Sequence, residues 1–270
     1  MNIRRKMAII VAASILLTAV PTSILVYHYA QTKILANEIS KLLEITHHQA
    51  DSAAQHFLEA KPKLEGLARL LQQELAQPVK IAEIAEFHRL MERNADGVWR
   101  NRRPLFNGSI ESGVFLPSNA LESDTQKVMH LRIKRVMDIF GSAASKHLEN
   151  VWYLSPQRSE IIFDATFPNF AFDQNAANDY TATPWLTYTS PELNPERTFG
   201  FTPPLFDPVP KVWMVSAIYP LYLGDQWLGS LGEDLQLSNV LAFVFQDQQF
   251  YAGTQHFLLD KQGDFILAGN

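Results

Sequence analysis

From Met7 to Tyr27 the chain reads MAIIVAASILLTAVPTSILVY, without one charged side chain. In hydrocarbon no water satisfies the backbone, so such a run settles as a helix whose hydrogen bonds close within itself. At ~1.5 Å rise per residue it is long enough to cross a bilayer. Arg4, Arg5 and Lys6 precede it. Basic flanks stay cytoplasmic, which places the chain beyond Tyr27 outside the cell membrane. Pro21 is tolerated there at the cost of a kink. The rival reading is a cleaved signal peptide. The run is long for one, and His28-Tyr29-Ala30 sets a bulky residue where cleavage needs a small one. The expectation is an uncleaved anchor: residues 1–6 cytoplasmic, 7–27 transmembrane, and the body periplasmic on the inner membrane.

Length and charge bound the rest. The chain has 270 residues, 47% of them apolar and 19% charged. That suits one or two globular domains. It has no cysteine, which excludes disulfides, thiolate zinc sites and cysteine nucleophiles. The formal charge is −5, and the three basic residues ahead of the apolar run leave the body more acidic still. An acidic body argues against a nucleic-acid partner.

Apolar residues recur at helical spacing from Ile34 through Leu75, which predicts a long stalk helix over residues 29–76, bent near Pro62. Its stripe suits a homodimer seam or a face packed on the domain. His47, His48, Asp51 and His56 lie within it and read as a solvated face, with no metal assigned. Further helices are expected at Val79–Arg93 and Leu121–Glu149, the second capped by Ser123 or Asp124. Arg100-Asn101-Arg102-Arg103 reads as a solvated basic loop. Strands are expected at Val98–Trp99, Gly113–Leu116, Val151–Leu154 and Ile161–Phe163. A short helix is expected at Asp179–Leu186, then a hairpin, Val212–Leu223 and Gln226–Leu235, about Gly224-Asp225. A helix at Leu237–Phe245 comes next, and a last hairpin over His256–Leu259 and Phe265–Leu267. Helices first and an antiparallel sheet after make an α+β pattern. The expected modules are a membrane-distal one over residues 77–250 and the start of a second over 251–270, so the chain reads as a fragment of a longer protein.

Asp179 to Asp234 concentrates aromatic side chains and prolines. Aromatic rings offer broad apolar walls, and Tyr and Trp add a polar tip, which suits a small-molecule pocket as well as a core. The ligand-binding candidates are Tyr180, Trp185, Tyr188, Phe206, Asp207, Trp213 and Asp234.

Four motifs in this stretch stand in order: Thr183-Pro184-Trp185-Leu186, Pro204-Leu205-Phe206-Asp207, Ser216-Ala217-Ile218-Tyr219-Pro220 and Gly229-Ser230-Leu231-Gly232-Glu233-Asp234. With the long helix before them they resemble the double Cache (dCache) extracytoplasmic sensor domains of bacterial signal-transduction proteins. The resemblance implies two PAS-like modules and a small ligand held in the distal one. It also implies a signal passed through the long helix to an output such as a diguanylate cyclase, a histidine kinase or a chemoreceptor. No signature of those outputs occurs in this chain. By the same resemblance Trp185 walls the pocket, and Asp234 matches the carboxylate that holds an amino group in the amino-acid-binding branch. The branch's ligand-carboxylate arginine is replaced by Thr183 and its following tyrosine by Leu186. A ligand with a cationic or hydroxyl group, or an apolar body, is expected instead.

The competing class is a membrane-anchored extracytoplasmic enzyme. No Gly-x-Ser-x-Gly elbow, His-Glu-x-x-His pair or phosphate-binding glycine loop occurs. Glu233 and Asp234 are adjacent on a strand and point to opposite faces, which makes them poor acid/base partners. A structural adaptor would leave the aromatic stretch unexplained. The segment is read as non-enzymatic, without a cofactor.

Overall fold

The computed structural model describes residues 2–146, 148–245, 256–259 and 265–269. The chain divides into two compact units, Met1–Ser52 and Ala53–Asn270. In the first unit the chain is helical from Ile3, and Met7, Leu16, Leu17 and Leu25 are exposed on it. Among the described residues this is the one helical stretch long and apolar enough to cross a membrane.

Helix α1 (Ile3–Leu58) ends at Glu59, and α2 (Ala60–Leu75) succeeds it. The break lies slightly ahead of the expected bend. Pro62 has no N–H to return to the Leu58 carbonyl, so the interruption falls on the preceding turn. In the second unit α2 buries Ala60, Leu64, Leu67, Ala68 and Leu71, a stripe one helical face wide. At these positions the stripe is a packed face.

Helix α3 (Ile81–Leu90) is shorter than Val79–Arg93, because Met91–Arg93 becomes strand β1 and pairs with β2 (Trp99–Asn101) across the Asn94–Gly97 turn. Strand β3 (Gly113–Leu116) pairs with β2. The basic cluster is corrected in part. Arg100 and Asn101 stand on a strand and are buried, and Arg100 donates to both carboxylate oxygens of Asp96 at 3.0 and 2.8 Å. Helix α4 (Asp124–Ala144) is shorter than Leu121–Glu149 at both ends. Ser123 caps it, its hydroxyl accepting from the Gln126 N–H while Gln126 accepts from the Ser123 N–H.

Strands β4 (Val151–Leu154) and β5 (Glu160–Phe163) form a hairpin, with Arg158 in the turn at φ 67°. Short helices α5 (Phe170–Asp173) and α6 (Pro184–Thr187) come after it, the latter in place of the helix expected at Asp179–Leu186, since Pro184 starts helices and does not continue them. Strands β6 (Gly200–Phe201) and β7 (Leu205–Asp207) both pair with β8 (Val212–Leu223), and β8 turns at Gly224, φ 62°, into β9 (Gln226–Gln236). The sheet has nine antiparallel strands in the order β1-β2-β3-β5-β4-β9-β8-β6, with β7 beside β8. Helix α7 (Leu237–Phe245) comes next. Strands β10 (His256–Leu259) and β11 (Phe265–Gly269) form a separate two-stranded sheet. Residues 251–255, where a second module is expected to begin, lie outside the described residues, as does the Lys261–Asp264 turn.

Strand alternation sorts side chains onto two faces. Val151, Tyr153, Ile161, Phe163, Ala217 and Leu231 join the stripes of α2 and α4 in the main core. Trp152, Leu154, Ile162, Met214 and Ile218 face the other way, under Phe170, Trp185 and Leu186 of the α5–α6 segment.

Candidate functional site

The second face carries the site. Between β5 and β8 the chain runs from Asp164 to Lys211 and covers this side of the sheet through α5 and α6. The cover is tied down by polar contacts. Trp185 Nε1 donates to Ser216 Oγ at 2.8 Å. Arg100 donates from Nε to the Ala171 carbonyl at 2.8 Å and from Nη2 to the Gln174 carbonyl at 3.1 Å. Arg158 Nη2 donates to the carbonyls of Ala176 and Asn178 at 3.0 and 2.6 Å.

Beneath the cover lies a cavity walled by Trp152, Phe170, Tyr180 and Trp185, floored by Leu154 and Ile162, and lined by three acids, Glu160, Asp207 and Asp234. The space open to the centre of a water molecule is ≈ 20 Å³, which is room on the order of one water. A second cleft adjoins it, sharing Leu154, Glu160 and Tyr180 and adding Gln174 and Arg158. No basic side chain lines the first cavity among the described residues.

Three carboxyls in one dry space cannot all be comfortably ionised. Burial raises Glu160 to about 8, with the charges of Asp207 and Asp234 adding to the rise and Gln174 donation opposing it. Burial likewise raises Asp207 to about 6; the donation from the Val209 N–H opposes this and the charge of Asp234 adds to it. Asp234 is also pushed up by burial, against its own donors. Those donors are numerous. Oδ1 accepts from Ser216 Oγ at 2.5 Å and Trp152 Nε1 at 2.9 Å; Oδ2 accepts from Asn150 Nδ2 at 2.8 Å. Asn150 Oδ1 in turn accepts from the Asp234 N–H at 3.0 Å. Gly232 makes room for this. A Cβ there would stand 2.0 Å from Cζ2 of Trp152, so only glycine lets the indole lie across β9 and reach Asp234.

Of the residues singled out in the sequence, Tyr180, Trp185, Asp207 and Asp234 line the cavity together. Tyr188, Phe206 and Trp213 do not line it and are 42%, 46% and 57% exposed. Period-two alternation explains two of them: Asp207 points in, so Phe206 points out, where it meets Trp213, its cross-strand partner, with ring centroids 5.7 Å apart. Tyr188 stands just after α6, at its C-cap. Sequence reasoning missed Trp152, Glu160 and Gln174. Glu160 carried a signal: alternation with Ile162 sets it on the inner face once β5 is allowed to start one residue earlier. Gln174 sits in a loop and carried none.

No protein-family model matches the chain, and no curated protein matches it. Several solved structures are similar to it. One is the ligand-binding domain of the Pseudomonas aeruginosa PAO1 amino acid chemoreceptor PctC in complex with GABA, at 18% identity, covering 84% of this chain and 74% of that one, TM-score 0.46. Another is the ligand-binding domain of the Campylobacter jejuni chemoreceptor Tlp3 in complex with L-norvaline, at 11% identity, covering 83% and 70%, TM-score 0.42. A third is the ligand-binding domain of P. aeruginosa PctB in complex with L-Arg, at 17% identity, covering 46% and 48%, TM-score 0.37. These three solved structures are ligand-binding domains of bacterial chemoreceptors.

Proposed function

We propose that this chain is the extracytoplasmic sensing part of a membrane-anchored signalling receptor, and that its ligand is a compact organic cation bound in the cavity above the sheet. The observation that carries the reading is the cavity itself: aromatic walls, three inward carboxyls and, among the described residues, no basic lining residue. Buried carboxylates call for a positive or hydrogen-donating partner. Among the described residues no lining side chain carries a positive charge to pair a ligand carboxylate, in keeping with Thr183 at the position where the resembling family carries arginine.

A site with room for about one water takes up a ligand when its cover shifts. That displacement is what a sensor converts into signal, because a ligand moves an equilibrium only by binding one state better. In this reading the signal leaves through the long helix of a homodimer anchored in the inner membrane by residues 7–27, toward an output domain on the cytoplasmic side. The dCache-like motifs in the sequence support the same assignment.

The test is a thermal-shift screen of the full chain in detergent micelles against primary amines, amino acids, organic acids and purines. Ligands that bind the folded state raise the melting temperature by mass action. Amines are expected to stabilise. Stabilisation by organic acids and by no amine would sink the cation reading.

A further inference from the structure

We propose that the chain carries a second small-molecule site on the opposite face of β9, a cleft that takes a neutral polyhydroxy compound of monosaccharide size against Glu233 and Lys146. The cleft is separate from the cavity under α5 and α6, and the proposal stands or falls independently of the cation reading.

Alternation along β9 sends Asp234 to the cavity and its neighbour Glu233 to the face packed by α2. There Glu233 is 2% exposed. Its Oε1 accepts from Lys63 Nζ of α2, while its Oε2 has no hydrogen-bond partner among the described residues. A buried carboxylate oxygen without a donor is rare in folded proteins and marks a place where a donor belongs. Glu149, which lines the same cleft, shows the contrast. Its Oε1 accepts from Asn239 Nδ2 at 2.8 Å and its Oε2 from the Gln236 N–H at 2.9 Å.

The cleft onto which Glu233 opens is roomy. It offers ≈ 410 Å³ to the centre of a water molecule, against ≈ 20 Å³ in the cavity. That is far more than one water fills and falls within the range of small-molecule sites, ~300–1,000 Å³. Four stretches of chain converge on it: the end of α1 with His56, α2 with Lys63, the segment ahead of β4 with Lys146 and Glu149, and β9 with Glu233 and Leu235.

The chemistry of the lining selects the ligand. Three glutamates and two lysines line the cleft, so it lacks the one-sided charge of the cavity. Lys63 already neutralises Glu233, and a second cation there would be repelled by the Lys63 ammonium. Among the described residues no three His, Asp or Glu side chains stand together so as to hold a metal ion. An anion would face the glutamates. What fits is a group that donates to Glu233 Oε2 without bringing charge and accepts from a lysine, and a hydroxyl does both. Lys146 is exposed at the cleft and supplies charged N–H donors to neighbouring hydroxyls. Leu148 and Leu235 give the C–H face of the ligand an apolar contact. A ring with several hydroxyls, a sugar or a cyclic polyol, meets these demands together.

The experiment is calorimetric titration of the full chain with D-glucose, D-galactose, D-ribose and myo-inositol, in lauryldimethylamine oxide micelles so that no sugar headgroup competes. Wild type is compared with Glu233→Gln, Lys146→Ala and Asp207→Asn. Wild type is expected to bind at least one of the four with a Kd of about 1 mM or below. Glu233→Gln is expected to weaken that compound about tenfold or more, and Lys146→Ala about threefold. Lys146 is exposed, so its variant is expected to keep the wild-type melting temperature and decides the matter even if Glu233→Gln does not fold. Asp207→Asn, in the other cavity, is expected to leave the affinity unchanged. If wild type binds none of the four, this inference fails, and the amine screen still decides the sensor reading. If a sugar binds but Lys146→Ala leaves its affinity unchanged, or Asp207→Asn weakens it, the sugar sits elsewhere and the inference fails.

Discussion

His130 shows how a single buried residue sets a pH response. It lies inside α4, 3% exposed, with Nδ1 2.8 Å from the Gln126 carbonyl oxygen and Nε2 without a partner among the described residues. Burial lowers it from 6.5 to about 4. Between those values the unfolded chain binds a proton that the folded chain refuses, so His130 contributes stability above pH 6.5 that is lost as pH falls toward 4. The full loss is about 3 kcal/mol. Glu160 and Asp207 act with the opposite sign: their raised values make folding less favourable as pH climbs toward 8 and 6. The expectation is that His130→Leu removes the His130 share of the pH dependence, so that between pH 6.5 and pH 4 urea stability changes in favour of the acid side relative to wild type. An unchanged slope in the variant would show that other groups carry it. Nothing in the sequence distinguishes His130 from the exposed histidines of α1, because its burial follows from the rotation of α4 against the sheet. Asp234 is the converse case. The motif around it was legible, but its saturation by Trp152, Ser216 and Asn150 depends on side chains from two other strands and a loop.

At the level of elements, one arginine in the middle of α4 joins the ends of two other helices. Arg132 of α4 donates from Nε to Glu83 Oε1 at 2.9 Å and from Nη2 to Glu83 Oε2 at 2.6 Å, a bidentate pair with α3. Its remaining donors reach the carbonyls of Glu74, Gln77 and Pro78, at the last turn of α2 and just beyond it. Hydrogen bonding from Arg132 holds Glu83 down at about 2. Both side chains are buried, so removing one leaves the other short of its main partner; without Arg132, Glu83 keeps Arg135 Nη1 at 3.1 Å and the Lys80 N–H at 3.0 Å. Arg132→Met is expected to cost about 3–5 kcal/mol in urea unfolding, and Arg132→Met with Glu83→Leu less than the sum of the single changes. Additive losses would mean that the carbonyl contacts, and not the ion pair, carry the clamp. Periodicity made α2, α4 and the β8–β9 hairpin readable, since each repeats its own pattern over two turns or a full strand. It failed at Met91–Arg93, where three residues leave a helical pattern to pair with β2, and at Glu160, because a short strand has too few repeats to announce its first residue. Phe206 and Trp213 misled for the same reason: composition marks a stretch as pocket-like, but alternation decides which side chains enter.

For the whole molecule, the N-terminal run dictates a topology. Residues 7–27 carry no charged side chain, and the basic residues 4–6 stand ahead of them. Basic residues beside a spanning helix remain on the cytoplasmic side, so the proposed reading expects Asn2 on the cytoplasmic side and the unit that begins at Ala53 outside. In the proposed reading the unit that begins at Ala53 meets compounds from outside the cell membrane. The chain has no cysteine, so one introduced thiol reports its own position. Asn2 and Ser109 are both exposed, the latter in the loop before β3, away from the cavity lining. In intact cells with a permeabilised outer membrane, Ser109→Cys is expected to react with a membrane-impermeant maleimide and Asn2→Cys to react only after lysis. Labelling of Asn2→Cys in intact cells would place the N-terminus outside, and a cavity sheltered in the cytoplasm would then sense internal metabolites. Release of the Ser109→Cys chain into the soluble periplasmic fraction would show the apolar run to be a cleaved leader, and the route for a signal through the long helix would be gone.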